Sequence, residues 1–254
     1  MNWILWISIA LSVLIATGIF RALKCAEGWE AWVCYQIARL QSLLFFHWKA
    51  TNTCTIPEHG PAIIVANHTS PVDPAILWIR HFDQFKVRRL RVIGFMMARE
   101  YYVRGGVVSW VCRAMQSIPV DRDGKDMAPA KDALQRLKEG RLLGLFPEGR
   151  LNTSAPNERL LPGGTGVAWL ALKANVPVIP VFIHDAPRSS SMVRAFFTWT
   201  HTRVTYGQPL DLSKWQGRKP THQILSEMTD FIMESLAGIG GVEFTPVAGE
   251  TSPA

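Results

Sequence analysis

From Trp3 to Phe20 the chain reads WILWISIALSVLIATGIF, eighteen residues without a charge. As a helix rising 1.5 Å per residue this run is about 27 Å long, close to the roughly 30 Å of a bilayer's hydrocarbon core. It is apolar on every side, unlike the two-faced helices that cover soluble domains. Nothing basic but the amino terminus precedes it, whereas a secretory signal starts with basic residues. Arg21 and Lys24 follow it, a bias that predicts a cytoplasmic C-terminal end. Gly28 to Trp48 mixes Trp29, Trp32, Tyr35, Ile37, Leu40, Leu44 and Phe45 with Glu30, Gln36, Arg39 and Gln41. That spacing predicts an aromatic-rich amphipathic helix, either lying in a headgroup layer or packed on a soluble domain. Together the two segments form a membrane-associated helical hairpin, spanning once or dipping into one leaflet.

After Thr51 the texture changes to short apolar runs separated by helical patterns. Strands are expected at Ala62–Ala66, Arg91–Met96, Ser117–Val120, Leu142–Phe146, Pro177–Phe182 and Thr202–Tyr206. Helices are expected near Pro74–Ile79, Met127–Lys138, Gly166–Asn175 and Thr221–Leu236, with Asp126 capping the second and Gly140 ending it. This alternation predicts an α/β fold with a mixed, largely parallel sheet flanked by helices. The expected division is anchoring helices over 1–50, a soluble domain over 51–238 and a loose tail over 239–254, where GIGGVEFTPVAGETSPA begins at Gly238.

Composition narrows the class. With 48% hydrophobic and only 19% charged residues, the chain is neither disordered nor collagen-like. A formal charge of +7 suits an anionic partner, whether phosphorylated substrate, anionic lipid or nucleic acid. Cys25, Cys34, Cys54 and Cys112 lack C-x-x-C spacing and read as free thiols in a reducing compartment.

Three expected strands stop at polar clusters: Asn67-His68-Thr69-Ser70-Pro71-Val72-Asp73, Asp121-Arg122, and Pro147-Glu148-Gly149-Arg150. Ligands of open α/β sheets bind at the carboxyl ends of strands, so these clusters are expected to converge on one site. A histidine with a carboxylate on its second ring nitrogen is suited to removing a proton from a hydroxyl. His68 and Asp73 fit if a turn brings them together; Asp73-Pro74 reads as a helix cap and first helical residue, and Asp73 would otherwise be a cap alone. No G-x-S-x-G, H-E-x-x-H, C-x-x-C or nucleotide-binding glycine loop occurs. A histidine base without a protein nucleophile suggests that the substrate brings its own hydroxyl. Arg122 and the basic stretch Arg80 to Arg104 could hold a phosphate beside it, or that stretch is a solvated or membrane-facing surface.

With these residues in view, the chain resembles the 1-acylglycerol-3-phosphate acyltransferase family of glycerolipid acyltransferases over about Pro57 to Gly207. Asn67 to Asp73 is similar to its N-H-x4-D block, Ile118 to Arg122 to its second block, Phe146 to Arg150 to its third, and Val176 to Val181 to its fourth. Leu161 to Gly166 falls where the family has a leucine-proline turn. Arg99-Glu100 sits where it often has Lys and Glu. The sequence departs from F-P-E-G-T-R in that Arg150 directly follows Gly149, leaving the family arginine's role to Arg150 or Arg159.

The resemblance implies an enzyme of phospholipid biosynthesis that moves a fatty acyl group from acyl-CoA or acyl carrier protein to lysophosphatidic acid, giving phosphatidic acid. It implies His68 as base, Asp73 as its support, Arg122 and Arg99 on the acceptor phosphate, and Glu148 and Gly149 at the glycerol. No cofactor or metal is implied beyond the thioester co-substrate, and the catalytic domain is expected on the cytoplasmic face of the membrane. Other readings are another lysophospholipid, glycerol-3-phosphate or a lyso-aminolipid as acceptor, a non-catalytic membrane-binding protein of this fold, and a metal-assisted hydrolase. Nucleic acid is the poorest fit to a chain led by membrane helices.

Overall fold

Apolar runs buried on both faces can only pair with one another and be covered by helices. The computed structural model describes residues 2–45, 49–85, 90–121, 126–153, 158–189 and 191–246. Its strands are β1 (Lys49–Ala50), β2 (Ala62–Ala66), β3 (Ile93–Ala98), β4 (Ile118–Val120), β5 (Leu142–Leu145), β6 (Val178–His184) and β7 (Arg203–Tyr206). They form one sheet in the order β1-β7-β6-β2-β5-β3-β4. β2 to β6 run parallel to one another, while β7 is antiparallel to β6 and β1 follows β7. The fold is therefore α/β with a mixed, largely parallel sheet, as the alternation of patterns predicts.

The helices are α1 (Asn2–Leu23), α2 (Trp29–Phe45), α3 (Asp73–Phe85), α4 (Arg99–Val103), α5 (Gly106–Ala114), α6 (Ala128–Lys138), α7 (Gly166–Ala174), α8 (Met192–Phe196) and α9 (His222–Gly240). Each face of the sheet has its own core. Ala62, Ile64 and Ala66 pack with α2 and α3, whereas Ile63 and Val65 pack with α6, α7 and α9. This is the period of two expected of a strand covered on both sides. Each expected strand and helix of the soluble domain is found. β1, α4 and α8 have no counterpart in the pattern, because five-residue helices and two-residue strands are too short to show a period; the nine-residue α5 also has no counterpart.

The two N-terminal helices are built unlike the rest. None of the Trp3–Leu23 span is buried; Gly18 and Ala22 are partly covered, and the large apolar side chains of α1 stand exposed. α2 turns Ala31, Cys34, Tyr35, Ala38, Gln41 and Ser42 inward. Its outer side carries Trp29, Ile37, Leu40, Leu43 and Leu44, all exposed. The buried face is made mostly of small or polar residues and the outer side, Arg39 apart, of large apolar ones, unlike a water-facing helix. The expected docking on the domain is thus found on one side of α2, while the other side leaves its apolar residues exposed.

The expected loose tail starts later than Gly238. α9 continues to Gly240, and Gly241 ends it in the left-handed conformation. Gly240 lies flat against Phe182: a Cβ there would stand 2.3 Å from the ring. Beyond it, the Leu160 N–H donates to Glu243 O at 2.9 Å and the Glu243 N–H to Glu158 O at 2.7 Å. The glycines that read as flexible punctuation are in part close-packing positions, which a linear pattern does not distinguish. Residues 247–254 lie outside the described residues. Gly240→Ala is expected to destabilise the fold by about 1–3 kcal/mol through overpacking. Gly238→Ala, with nothing within 4 Å of its Cβ, should gain about 0.5–1 kcal/mol of helix propensity. Paired thermal melts in detergent check the opposite signs.

Candidate active site

β2 ends at Ala66, and the six residues before α3 form a turn organised by one side chain. Asp73 is 0% exposed. Its Oδ2 accepts the Thr69 N–H and the Ser70 N–H, each at 2.8 Å. The same oxygen lies 3.0 Å from His68 Nδ1. A carboxylate accepts and does not donate, so Nδ1 carries the hydrogen and Nε2 is left as the basic atom. Asp73 Oδ1 is buried and meets no partner among the described residues. The His68 side chain retains 20% exposure, enough to reach a substrate while its other edge is held. Asp73 is therefore the partner of His68 but not the expected cap: it is the first residue of α3, its Oδ2 binds N–H groups that precede the helix, and the first-turn N–H groups of Ala75 and Ile76 go to Val72 O.

The main chain of His68 is held from both sides. Its N–H donates to Glu148 Oε1 at 2.9 Å, and its carbonyl accepts the Asn152 N–H at 2.7 Å. Glu148 Oε2 accepts the Leu161 N–H at 2.9 Å. Both oxygens of this 7%-exposed residue are thus taken up by the protein's own backbone rather than presented to a ligand, which departs from the expected contact with the acceptor. Burial holds the Glu148 carboxyl above the ordinary glutamate range, against the lowering pull of the Leu161 and His68 N–H groups. Asn67, a motif residue to which the pattern assigned no role, donates from Nδ2 to Ile183 O at 2.9 Å and accepts the Ile183 N–H at Oδ1 at 2.7 Å. Its side chain thereby extends the pairing of β2 with β6 after the main chain has turned away.

The imidazole itself lies on an aromatic stack. The His68 and Phe146 rings are 4.1 Å apart and inclined by 14°, and Phe146 is 5.3 Å from Phe95 at the same inclination. Phe95 occupies the space over Gly144, where a Cβ would stand 2.1 Å from its ring. Phe95, Gly144 and Asn152 are missed by sequence reasoning, since each acts through a neighbour that is remote in the chain.

The expected cationic residues are placed unequally. The sheet order puts the ends of β2, β5, β3 and β4 at one edge, about 14 Å across at roughly 4.8 Å per strand. Arg99 follows β3 and donates from Nε to Asp121 Oδ1 at 2.6 Å, with Asp126 3.9 Å from Nη2; both partners are exposed. Arg122 lies outside the described residues, next to Asp121 at the end of β4. Gly149 takes a left-handed φ of 65° in the turn after β5, a conformation suited to glycine. Arg150 and Arg159 are both exposed. Within the basic stretch, Arg91 donates to the carbonyls of Pro57, Gly60 and Gly140, so it serves as a staple rather than a phosphate ligand. The side chains of Arg80, Lys86, Arg88 and Arg89 fall outside the described residues. Among the described residues, no three His, Cys, Asp or Glu side chains are grouped to hold a metal ion.

A histidine oriented by a buried carboxylate, at the carboxyl edge of a mixed sheet, is an arrangement that could take a proton from a hydroxyl or amine. Residues 47–184 match the acyltransferase family, and the chain belongs to it. It is 22% identical over 189 residues to the 1-acyl-sn-glycerol-3-phosphate acyltransferase of Bacillus subtilis, covering 74% of this chain and 85% of that one. It is 30% identical over 128 residues to the N-acylphosphatidylethanolamine synthase of Arabidopsis thaliana, covering 50% of this chain but only 44% of the plant protein. This chain thus spans less than half the length of the plant relative. The crystal structure of the 1-acyl-sn-glycerophosphate acyltransferase PlsC from Thermotoga maritima superimposes with a TM-score of 0.62 at 18% identity, over 92% of this chain and 91% of that one. The fold is shared over nearly the whole length, the N-terminal helices included.

Glu148→Gln replaces one acceptor by an NH2 that must face the His68 or Leu161 N–H. The expected loss is about 1–3 kcal/mol. Because the folded state binds the Glu148 proton more tightly than the unfolded state, this group's contribution is complete below the unfolded value and is lost as pH rises through the raised folded value. The stability gap between wild type and Glu148→Gln should therefore narrow across that window. Melts of both proteins at stepped pH measure it, and a constant gap would refute the assignment.

Proposed function

We propose that the protein transfers a fatty acyl group from an acyl thioester of coenzyme A or acyl carrier protein to the free hydroxyl of 1-acylglycerol-3-phosphate, making phosphatidic acid for phospholipid biosynthesis. The observation that carries this reading is the His68–Asp73 couple, set by a buried turn at the carboxyl edge of the sheet. His68 Nε2 takes the hydroxyl proton as the oxygen attacks the thioester carbonyl. Asp73 holds the imidazole in the required tautomer and stabilises it once charged. The tetrahedral intermediate then collapses, its C–S bond breaks, and the departing sulfur takes the proton from His68. No acyl-enzyme is required, because the acceptor is itself the nucleophile.

Glu148 acts in this scheme by holding the main chain of His68 and, through Leu161, the turn that precedes α7. Arg122, beside the end of β4, is the first choice for the acceptor phosphate, through charge-assisted hydrogen bonds. Arg99 contributes if the acceptor phosphate displaces Asp121 from it, and Arg150 is a further candidate. Aligning both substrates supplies a large share of the rate, up to about 7–11 kcal/mol where geometry is good. The apolar α1 places the domain at the membrane where acceptor and product reside, and Arg21 and Lys24 favour its cytoplasmic face.

A second acceptor class is raised by the Arabidopsis relative, whose name specifies N-acylation of phosphatidylethanolamine. A panel of lysophosphatidic acid, glycerol-3-phosphate, other lysophospholipids and phosphatidylethanolamine, with acyl-CoA and acyl carrier protein as donors, separates the readings. Lysophosphatidic acid is expected to be preferred by kcat/KM, and a preference for an amine acceptor would overturn the primary reading. His68→Ala should reduce kcat by about 10²–10⁴-fold, with a cooperative melt retained although Asp73 loses a partner at a cost of about 1–3 kcal/mol. Arg122→Ala should act mainly on the acceptor's KM. Acceptor dependence equal to wild type would place the phosphate elsewhere.

A further inference from the structure

The connection from β6 to β7 carries α8 and is built like α2, with small residues inside and large apolar ones outside. Ala195 is 0% exposed and Phe196 packs on the core. Outward stand Val193, Phe197 and Trp199, at 70%, 59% and 67% exposure. A loop of a water-soluble surface gains nothing by displaying three such side chains together. The segment is also bound to α2: Gln41 Nε2 donates to Phe196 O at 2.7 Å, the Thr200 N–H donates to Phe45 O at 3.1 Å, and the Phe45 and Phe197 rings meet edge to face at 5.5 Å. Its outer residues therefore continue the apolar surface of α2 and, through it, the exposed α1. From Ala186 to Leu210 the sequence contains no acidic residue, while Arg188 and Arg194 are both exposed. Aromatic and aliphatic side chains flanked by arginines match an anionic headgroup layer and the acyl region beneath it.

The position of this segment matters as much as its composition. β6 is parallel to β2 and hydrogen-bonded to it, so the chain leaving His184 emerges at the edge where His68 lies. Asn67 joins the two strand ends directly through Ile183. We propose that the α8 segment is a second membrane-docking element, which sinks Val193, Phe197 and Trp199 into the surface of an anionic phospholipid bilayer beside α2. The mouth of the site is then held against lipid, one strand away from the docked segment, whereas α1 acting alone would leave the domain free to swing. The inference does not depend on which acceptor is used.

The test uses the full chain in vesicles of phosphatidylglycerol and phosphatidylethanolamine. Val193→Cys and Trp199→Cys are spin-labelled, with Glu227→Cys as the aqueous control, since Glu227 is exposed on α9 and covers the opposite face of the sheet. Labelled wild type gives the background from the native cysteines. Relative collision rates with oxygen and with a water-soluble nickel chelate report depth. Labels at 193 and 199 are expected about 5–10 Å below the headgroup boundary, while that at 227 stays in water. Labels at 193 and 199 as open to nickel as that at 227 would overturn the proposal. Labels shielded from both reagents would overturn it too, by revealing contact with a second copy of the chain instead of lipid.

Discussion

A carboxylate removed from water needs hydrogen bonds, and one oxygen of Asp73, Oδ2, gathers three by shaping the chain around itself, while Oδ1 meets no partner among the described residues. Its Oδ2 draws in the main-chain N–H groups of Thr69 and Ser70 and the ring of His68. The turn between β2 and α3 therefore has the one form that satisfies this oxygen. The contacts that satisfy Oδ2 also orient the imidazole.

Two further supports fix where that turn stands. Glu148 spans from His68 to Leu161 using one oxygen for each, so the ends of β2 and β5 and the approach to α7 move as a unit. The stack of Phe95, Phe146 and His68 rests on the bare backbone of Gly144. Polar contacts set the main chain of His68 and aromatic contacts set its ring plane. Each motif block thus supports its neighbour: the glutamate of one holds the histidine of another, and the asparagine of the first grips the strand of the last.

Outside the sheet the usual relation between burial and polarity is inverted. α1 exposes an apolar surface on all sides, α2 buries its small and polar side, and the α8 segment follows the same rule. Exposed apolar surfaces of this kind are what a lipid layer would cover, which is the premise of the proposed docking. The site opens at the edge where these elements gather, which suits substrates whose chains remain in the bilayer.

The sequence by itself determined the α/β alternation, the strands Ala62–Ala66 and Leu142–Phe146 almost to the residue, the apolar α1, and the presence of His68, Asp73 and Glu148 at strand ends. Those features are local: hydrophobic period, length and the residue that follows a strand are all read along the chain. The tertiary structure decided what each group does, because that depends on partners far apart in sequence. Glu148 as a backbone clamp depends on residues 68 and 161, Gly240 on the ring of Phe182, Gly144 on Phe95, and Arg91 on three carbonyls from two loops. No period in the chain encodes such meetings; they arise when the strands take their order in the sheet and bring the ends together.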